Sequence, residues 1–369
     1  MIKFRQKTNN VSHSNIGFTN YLKGGCMMDF KEIINNIMSG MSGDNEQDIK
    51  YLNEQMEKYK DHENAVEIIR AIGRKLYDLL DDDKKTEITK LLGNYEDGIS
   101  MIIDEAFFQL TQNHDSIRAE TLYRSVIESI QDMFKDDEEA EYHSFDNIFE
   151  ELIFKYLEKP ERTLRRSTFD NAMIYYFYGY CLIENEKSEE AEQALLEAFR
   201  WDPVKPQVIF ELAEIYKTRK DFSQFLKYTS LALKYAYKAN DIARAYRNYG
   251  YYYTDIKEYE TGAAFYYLSN VYEENKVANS ELFYIAQSIG KLPDRPEPAE
   301  MRALCEKESV QFGANNDVIS IIYQTAQALE EGGIKNGAVA GYSIVYDLVH
   351  DEDIKKRIDV LTANEPPIQ

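Results

Sequence analysis

Residues 172–203 read AMIYYFYGYCLIENEKSEEAEQALLEAFRWDP, and this stretch decides the fold. Tyr175, Tyr178, Gly179 and Leu182 fall three or four residues apart, the spacing of one face of an α-helix. Glu184-Asn185-Glu186-Lys187 interrupts the stripe, and Ser188 stands where a cap for a second helix is expected. Ala191, Leu195 and Ala198 form the second stripe, and Pro203 ends it. Two helices joined by so short a turn make a helical hairpin. The small residues Gly179 and Ala191 belong where its two helices cross. A larger side chain there would hold the axes beyond the ~8–10 Å of close helix packing.

The pattern returns along the chain. Ala213 lies 34 residues after Gly179 in matching surroundings, and Gly250 a further 37 on. The unit Pro206–Tyr237 carries Ile209, Leu212, Ala213, Tyr216, Phe222 and Ala232, and departs at Phe225 and Thr229. The unit Ala243–Glu274 carries Tyr246, Tyr249, Gly250, Tyr253, Tyr259, Gly262 and Tyr266. A unit around Leu282–Phe312 is poor, with a long turn rich in proline from Leu292 to Pro298. Ile319–His350 recovers the pattern through Ile322, Ala326, Leu329, Ala338 and Tyr342, with Gly332-Gly333 at the turn. Asp351–Leu361 reads as a polar closing helix.

These units resemble the tetratricopeptide repeat, whose pattern runs aromatic, two residues, Leu-Gly, two residues, Tyr, then Ala, Phe, Ala and Pro. In residues 172–203, Tyr175 stands for the aromatic, Tyr178 for Leu, Gly179 for Gly and Leu182 for Tyr. Ala191, Leu195, Ala198 and Pro203 complete the match. The resemblance covers residues 168–362 and implies an all-α fold, an α-solenoid of antiparallel helix hairpins. Amphipathic stretches at 29–40, 45–60, 63–80, 84–93, 97–112, 116–134 and 145–158 fill the first half, and no stretch alternates as a strand does. Residues 28–96 are expected to form an N-terminal helical region, and residues 97–158 degenerate helical repeats. The last residues, 363–369, are expected to be a disordered tail.

Residues 1–27 differ in kind: Lys3, Arg5, Lys7 and Lys23 with no Asp or Glu, and no helical period. Codons for Lys23-Gly24-Gly25-Cys26-Met27 can spell a purine-rich bacterial ribosome-binding site. Two readings stay open, an over-called start with translation beginning at Met27 or Met28, or a genuine basic arm. The whole chain carries a net charge of −22, which argues against a nucleic-acid or anionic-lipid partner. Three scattered cysteines, Cys26, Cys181 and Cys305, form no disulfide framework and suit a reducing cytoplasm. No apolar run reaches the ~20 residues of a membrane span. The chain has no phosphate-binding glycine loop and no metal-binding histidine spacing, so no catalytic residue and no cofactor are expected. A basic cluster, Lys159, Arg162, Arg165 and Arg166, is either a solvated linker or a partner for the acidic first half.

The resemblance also implies where a ligand binds. In that family the first helix of each hairpin lines an inner groove, and the register places Met173, Tyr176 and Tyr180 there in the first repeat. Phe210 and Glu214 follow in the second, Arg244, Arg247 and Tyr251 in the third. Ser320, Tyr323, Gln327 and Glu330 follow in the fifth. Tyrosine rings offer wide contact with little rotamer entropy to lose. The expected function is therefore non-catalytic binding of a protein or peptide segment, with an acidic end facing the two arginines. A second reading is a peptide-responsive bacterial regulator with residues 28–96 as its effector part.

Overall fold

A computed structural model describes residues 26–363. The expected tails lie outside the described residues, except that Cys26 and Met27 already belong to the first helix and Ala363 follows the last. The chain divides into two compact units, one ending at Leu91 and the other beginning at Leu92.

The first unit holds α1 (Cys26–Ser39), α2 (Asn45–Tyr59), α3 (Ala65–Asp78) and all but the last residue of α4 (Asp82–Leu92). Its small core is Ile37, Leu52, Ile68 and Ile72. The turn into α2 is tied by the buried Asp48, which accepts from the Ser42 N–H at 2.6 Å and the Gly43 N–H at 3.0 Å. Those bonds hold the Asp48 carboxyl below its ordinary pKa.

The second unit is a stack of hairpins. They are α5 (Glu96–Thr111) with α6 (Ser116–Ile130), and, past a non-repeat segment that contains α7 (Ile148–Glu158), α8 (Asn171–Glu184) with α9 (Ser188–Trp201). Next come α10 (Pro206–Thr218) with α11 (Phe222–Tyr235) and α12 (Ala239–Asp255) with α13 (Tyr259–Tyr272). α14 (Lys276–Ile289) and α15 (Pro298–Lys307) both pack on α13, and α16 (Asn316–Glu331) pairs with α17 (Lys335–Val349), on which α18 (Glu352–Thr362) closes.

The repeat register shows in the turns. Glu186, Lys220, Lys257 and Gly333 sit seven residues after Gly179, Ala213, Gly250 and Ala326, and all four have positive φ, from 59° to 76°. Each is followed by an N–H that reaches back five residues, as Lys187 does to Leu182 O at 2.8 Å and Ile334 to Leu329 O at 2.8 Å. This left-handed residue satisfies carbonyls that the helix end leaves open. Ser188 is not the cap the sequence suggested. It opens α9 as its first residue, and its hydroxyl instead accepts from the Arg219 guanidinium at 3.2 Å. The crossings are close as expected: a Cβ on Gly179 would lie 3.0 Å from Leu195 Cγ.

Two features depart from an uninterrupted helical array. Residues Ala140–His143 (β1) and Thr163–Arg166 (β2) form a two-stranded parallel sheet, where no strand was expected. A parallel pair needs a crossover, and α7 supplies it. α7 is therefore no repeat helix: α6 packs directly on α8, while α7 packs against α16. Phe149 also reaches the other helix of that hairpin, since a Cβ on Gly341 of α17 would lie 2.9 Å from its Cζ. Polar contacts also tie this segment to the stack. Glu150 accepts from the Tyr237 hydroxyl at 3.0 Å, and Lys205 lies 3.1 Å from Asp146. Glu158 accepts from the Tyr235 hydroxyl and from Lys234, both at 2.6 Å. The basic cluster pairs inward along the sheet: Arg162 with Glu141 at 2.5 Å, Arg165 with Asp137 at 3.0 Å, Arg166 with Glu151 at 2.5 Å.

Candidate functional site

The residues of α8, α10 and α12 expected to line a groove are not equally available. Met173 and Phe210 are buried. The Arg244 guanidinium lies 4.6 Å from the centroid of the Phe210 ring and reaches Glu211 at 2.9 Å. Tyr176 borders this group. Burial pushes its phenol well up, Glu211 adds to the rise, and Arg244 opposes it. Tyr180 is half-buried, and Glu184 beside it raises its phenol further.

A second group follows. Glu214 pairs with Lys217 at 2.5 Å, and the Lys217 ammonium stands 5.1 Å from the Tyr251 ring centroid. Lys220 donates to the Tyr251 hydroxyl at 2.8 Å and pairs with Asp255. Arg247 does not point with Arg244. It is mostly buried and binds Glu273, the residue after α13, at 3.1 Å. Both arginines singled out for an acidic ligand thus already hold carboxylates of the chain.

Tyr323 belongs to a different place. With Ser320, Gln327 and Glu330 it lines a cleft of about 670 Å³ between α16, α17 and α18. All four occupy the inner-groove positions expected of the fifth repeat. Ile319, Val345, Val349 and Ile354 make its apolar strip, and the Tyr342 ring packs 5.8 Å from that of Tyr323. The volume lies in the range of ordinary ligand pockets. Sequence reasoning missed the contribution of α18, which brings Ile354 and Arg357 into the cleft. The signal available was the apolar stripe Ile354, Ile358 and Leu361 in a helix that otherwise read only as a polar cap.

The remaining chemistry is sparse. Cys181 and Cys305 are buried and free, with thiols pushed up to about 12 by burial. Among the described residues no group of three or more His, Cys, Asp or Glu could hold a metal ion. No described helix is long and apolar enough to cross a membrane.

The fold is an α-solenoid of tetratricopeptide-like hairpins. Solved structures similar to it include Pseudomonas aeruginosa PilF, at 11% identity and a TM-score of 0.38, covering 71% of this chain and 96% of that one. A tetratricopeptide repeat protein from Parabacteroides merdae matches at 11% identity and a TM-score of 0.26, over 91% of this chain and all of the other. Yeast Tom70 matches at 15% identity and a TM-score of 0.29, over 91% and 78%. No family model and no curated protein matches the sequence. The fold assignment rests on the hairpins themselves: their crossings, their turns and their register.

Proposed function

We propose that the chain is a non-catalytic scaffold that binds a segment of another protein on the inner face of its hairpins. The observation that carries the reading is the cleft. It opens on α16 at Ser320, Tyr323, Gln327 and Glu330, the positions a groove-lining helix presents. Tyr180 and Tyr251 extend the same kind of surface on α8 and α12, where half-buried rings offer contact area beside polar groups. Met173 and Phe210 are buried and do not meet the ligand. An acidic end on the ligand would have to displace Glu211 from Arg244 and Glu273 from Arg247, so we assign it none there.

The test is a photo-crosslinking amino acid at position 323, compared with one at Tyr156, an exposed position on α7. Irradiation in lysate of the source cells should yield discrete adducts from position 323 that position 156 does not give. Identical adducts from both positions, or none from 323, would remove the inner face as the binding site.

A further inference from the structure

The charge around the cleft is lopsided. Glu330, Glu331, Asp351 and Asp353 line it against a single cation, Arg357. That cation is already paired, since Glu330 accepts from its Nε at 2.9 Å and holds a second guanidinium nitrogen at 2.7 Å. Asp353 is paired with Lys356 at 2.8 Å. Asp351 uses one oxygen to cap α18, accepting from the Asp353 N–H at 2.8 Å. Neither Glu331 nor Asp351 stands in an ion pair among the described residues, Lys356 acting on Asp351 only from a distance. The same cleft holds the apolar strip of Ile319, Val345, Val349 and Ile354, together with Tyr323.

We infer that the cleft takes a basic, partly apolar peptide segment, one whose Lys or Arg side chains reach Glu331 and Asp351 while a neighbouring apolar side chain enters the strip. This rests on the scaffold reading above and adds the ligand's chemistry to it. The division of labour follows from magnitudes. Exposed ion pairs contribute little each, so burial against the strip supplies most of the affinity. The carboxylates supply the sign: they draw in cations and repel an acidic segment. An arginine gains further from the face of Tyr323.

The experiment uses the full chain and three short fluorescent peptides of equal Leu and Tyr content. Their remaining positions are all Lys and Arg, all Ser, or all Glu. Anisotropy at low salt should rank the basic peptide about tenfold or more above the Ser peptide, with the Glu peptide weakest, two added ion pairs being worth about that much. High salt should shrink the gap. Because the whole chain is acidic, the decisive comparison is between two double variants. Glu331→Gln with Asp351→Asn, which keeps a side-chain oxygen to cap α18, should erase most of the preference for the basic peptide and leave the Ser peptide unchanged. Glu189→Gln with Glu190→Gln, on the exposed start of α9, should do neither. Tyr323→Ala should weaken every peptide that binds. Equal binding of the basic and Ser peptides overturns the inference, as does a preference that survives the first double variant or a failure of all three to bind. The scaffold reading is judged separately, since crosslinking from position 323 does not depend on the ligand's charge.

Discussion

One substitution, Gly→Ala, should change sign with its place in the fold. In an exposed helix interior alanine is worth about 1 kcal/mol over glycine. Gly73 in α3 shows that case: a Cβ there meets nothing within 4 Å, so Gly73→Ala should stabilise its unit by about 1 kcal/mol. Gly262 in α13 is the opposite. A Cβ there would stand 2.5 Å from Thr254 Oγ1 and 3.1 Å from both the Gly250 carbonyl oxygen and the Thr254 nitrogen. Two of those three atoms are backbone of α12, so no rotamer change can clear them. The Thr254 hydroxyl is itself tied to the Gly250 carbonyl at 2.8 Å. Moving α13 away would loosen Phe265 and Tyr266, both buried in the crossing. Overpacking of this kind costs about 1–3 kcal/mol, which outweighs the helix-propensity gain. Gly179→Leu should be worse still, because three further carbons must enter a crossing already closed by Leu195 and Ala191. Each kcal/mol lost should lower the melting temperature of the second unit by roughly 2–4 °C. The assay is thermal unfolding of the full chain by circular dichroism, with hydrogen exchange to assign each transition to its unit. If Gly262→Ala melts at or above the parent temperature, α12 and α13 do not approach as described and the crossing argument fails.

Three further outcomes are expected. Phe149→Ala should cost about 3–5 kcal/mol as a buried ring is deleted, and hydrogen exchange should then speed up in α16 and α17 more than in α8 and α9; uniform protection would show that α7 does not hold the last hairpin. Asp202 is fully buried, and burial together with Glu150 raises its carboxyl well above the ordinary value, with Lys205 opposing. Its folded pKa exceeds its unfolded one, so the stability tied to its proton is present below about pH 4 and is lost as the pH rises through the folded value. Asp202→Asn should accordingly gain on the parent as the pH rises from 4 to 8 in denaturant titrations, and a constant difference would refute the shift. Cys181 and Cys305, with thiols near 12, should resist iodoacetamide at pH 8 in the native chain and react once it is unfolded, as read by peptide mass mapping.

Much of the second unit was legible because its information is local. Helix faces follow from spacing three and four, and crossings follow from small residues at a fixed offset. The left-handed turn residues come seven positions after those crossings. The small sheet was not legible. Four residues such as Ala140–His143 are too few to show alternation, and their partner strand lies beyond a helix. α7 was misread for a related reason: its apolar face, Phe149, Ile153 and Phe154, looks like that of any repeat helix. Nothing in eleven residues states whether that face meets the next hairpin or the last one.

The sequence by itself determined most of the helices, their turns and the face of each first helix that the resemblance assigns to a groove. Those properties depend on residues within one or two helical turns of each other. The tertiary structure alone decided how that face is used. It lays Arg244 across Phe210 and ties it to Glu211, pairs Arg247 with Glu273, and folds α18 against α17 to leave a cleft edged with carboxylates. These outcomes turn on contacts between helices, where a side chain of either sign fits the local pattern equally well. Only the path of the chain brings the residue that will cover it, pair with it or leave it open.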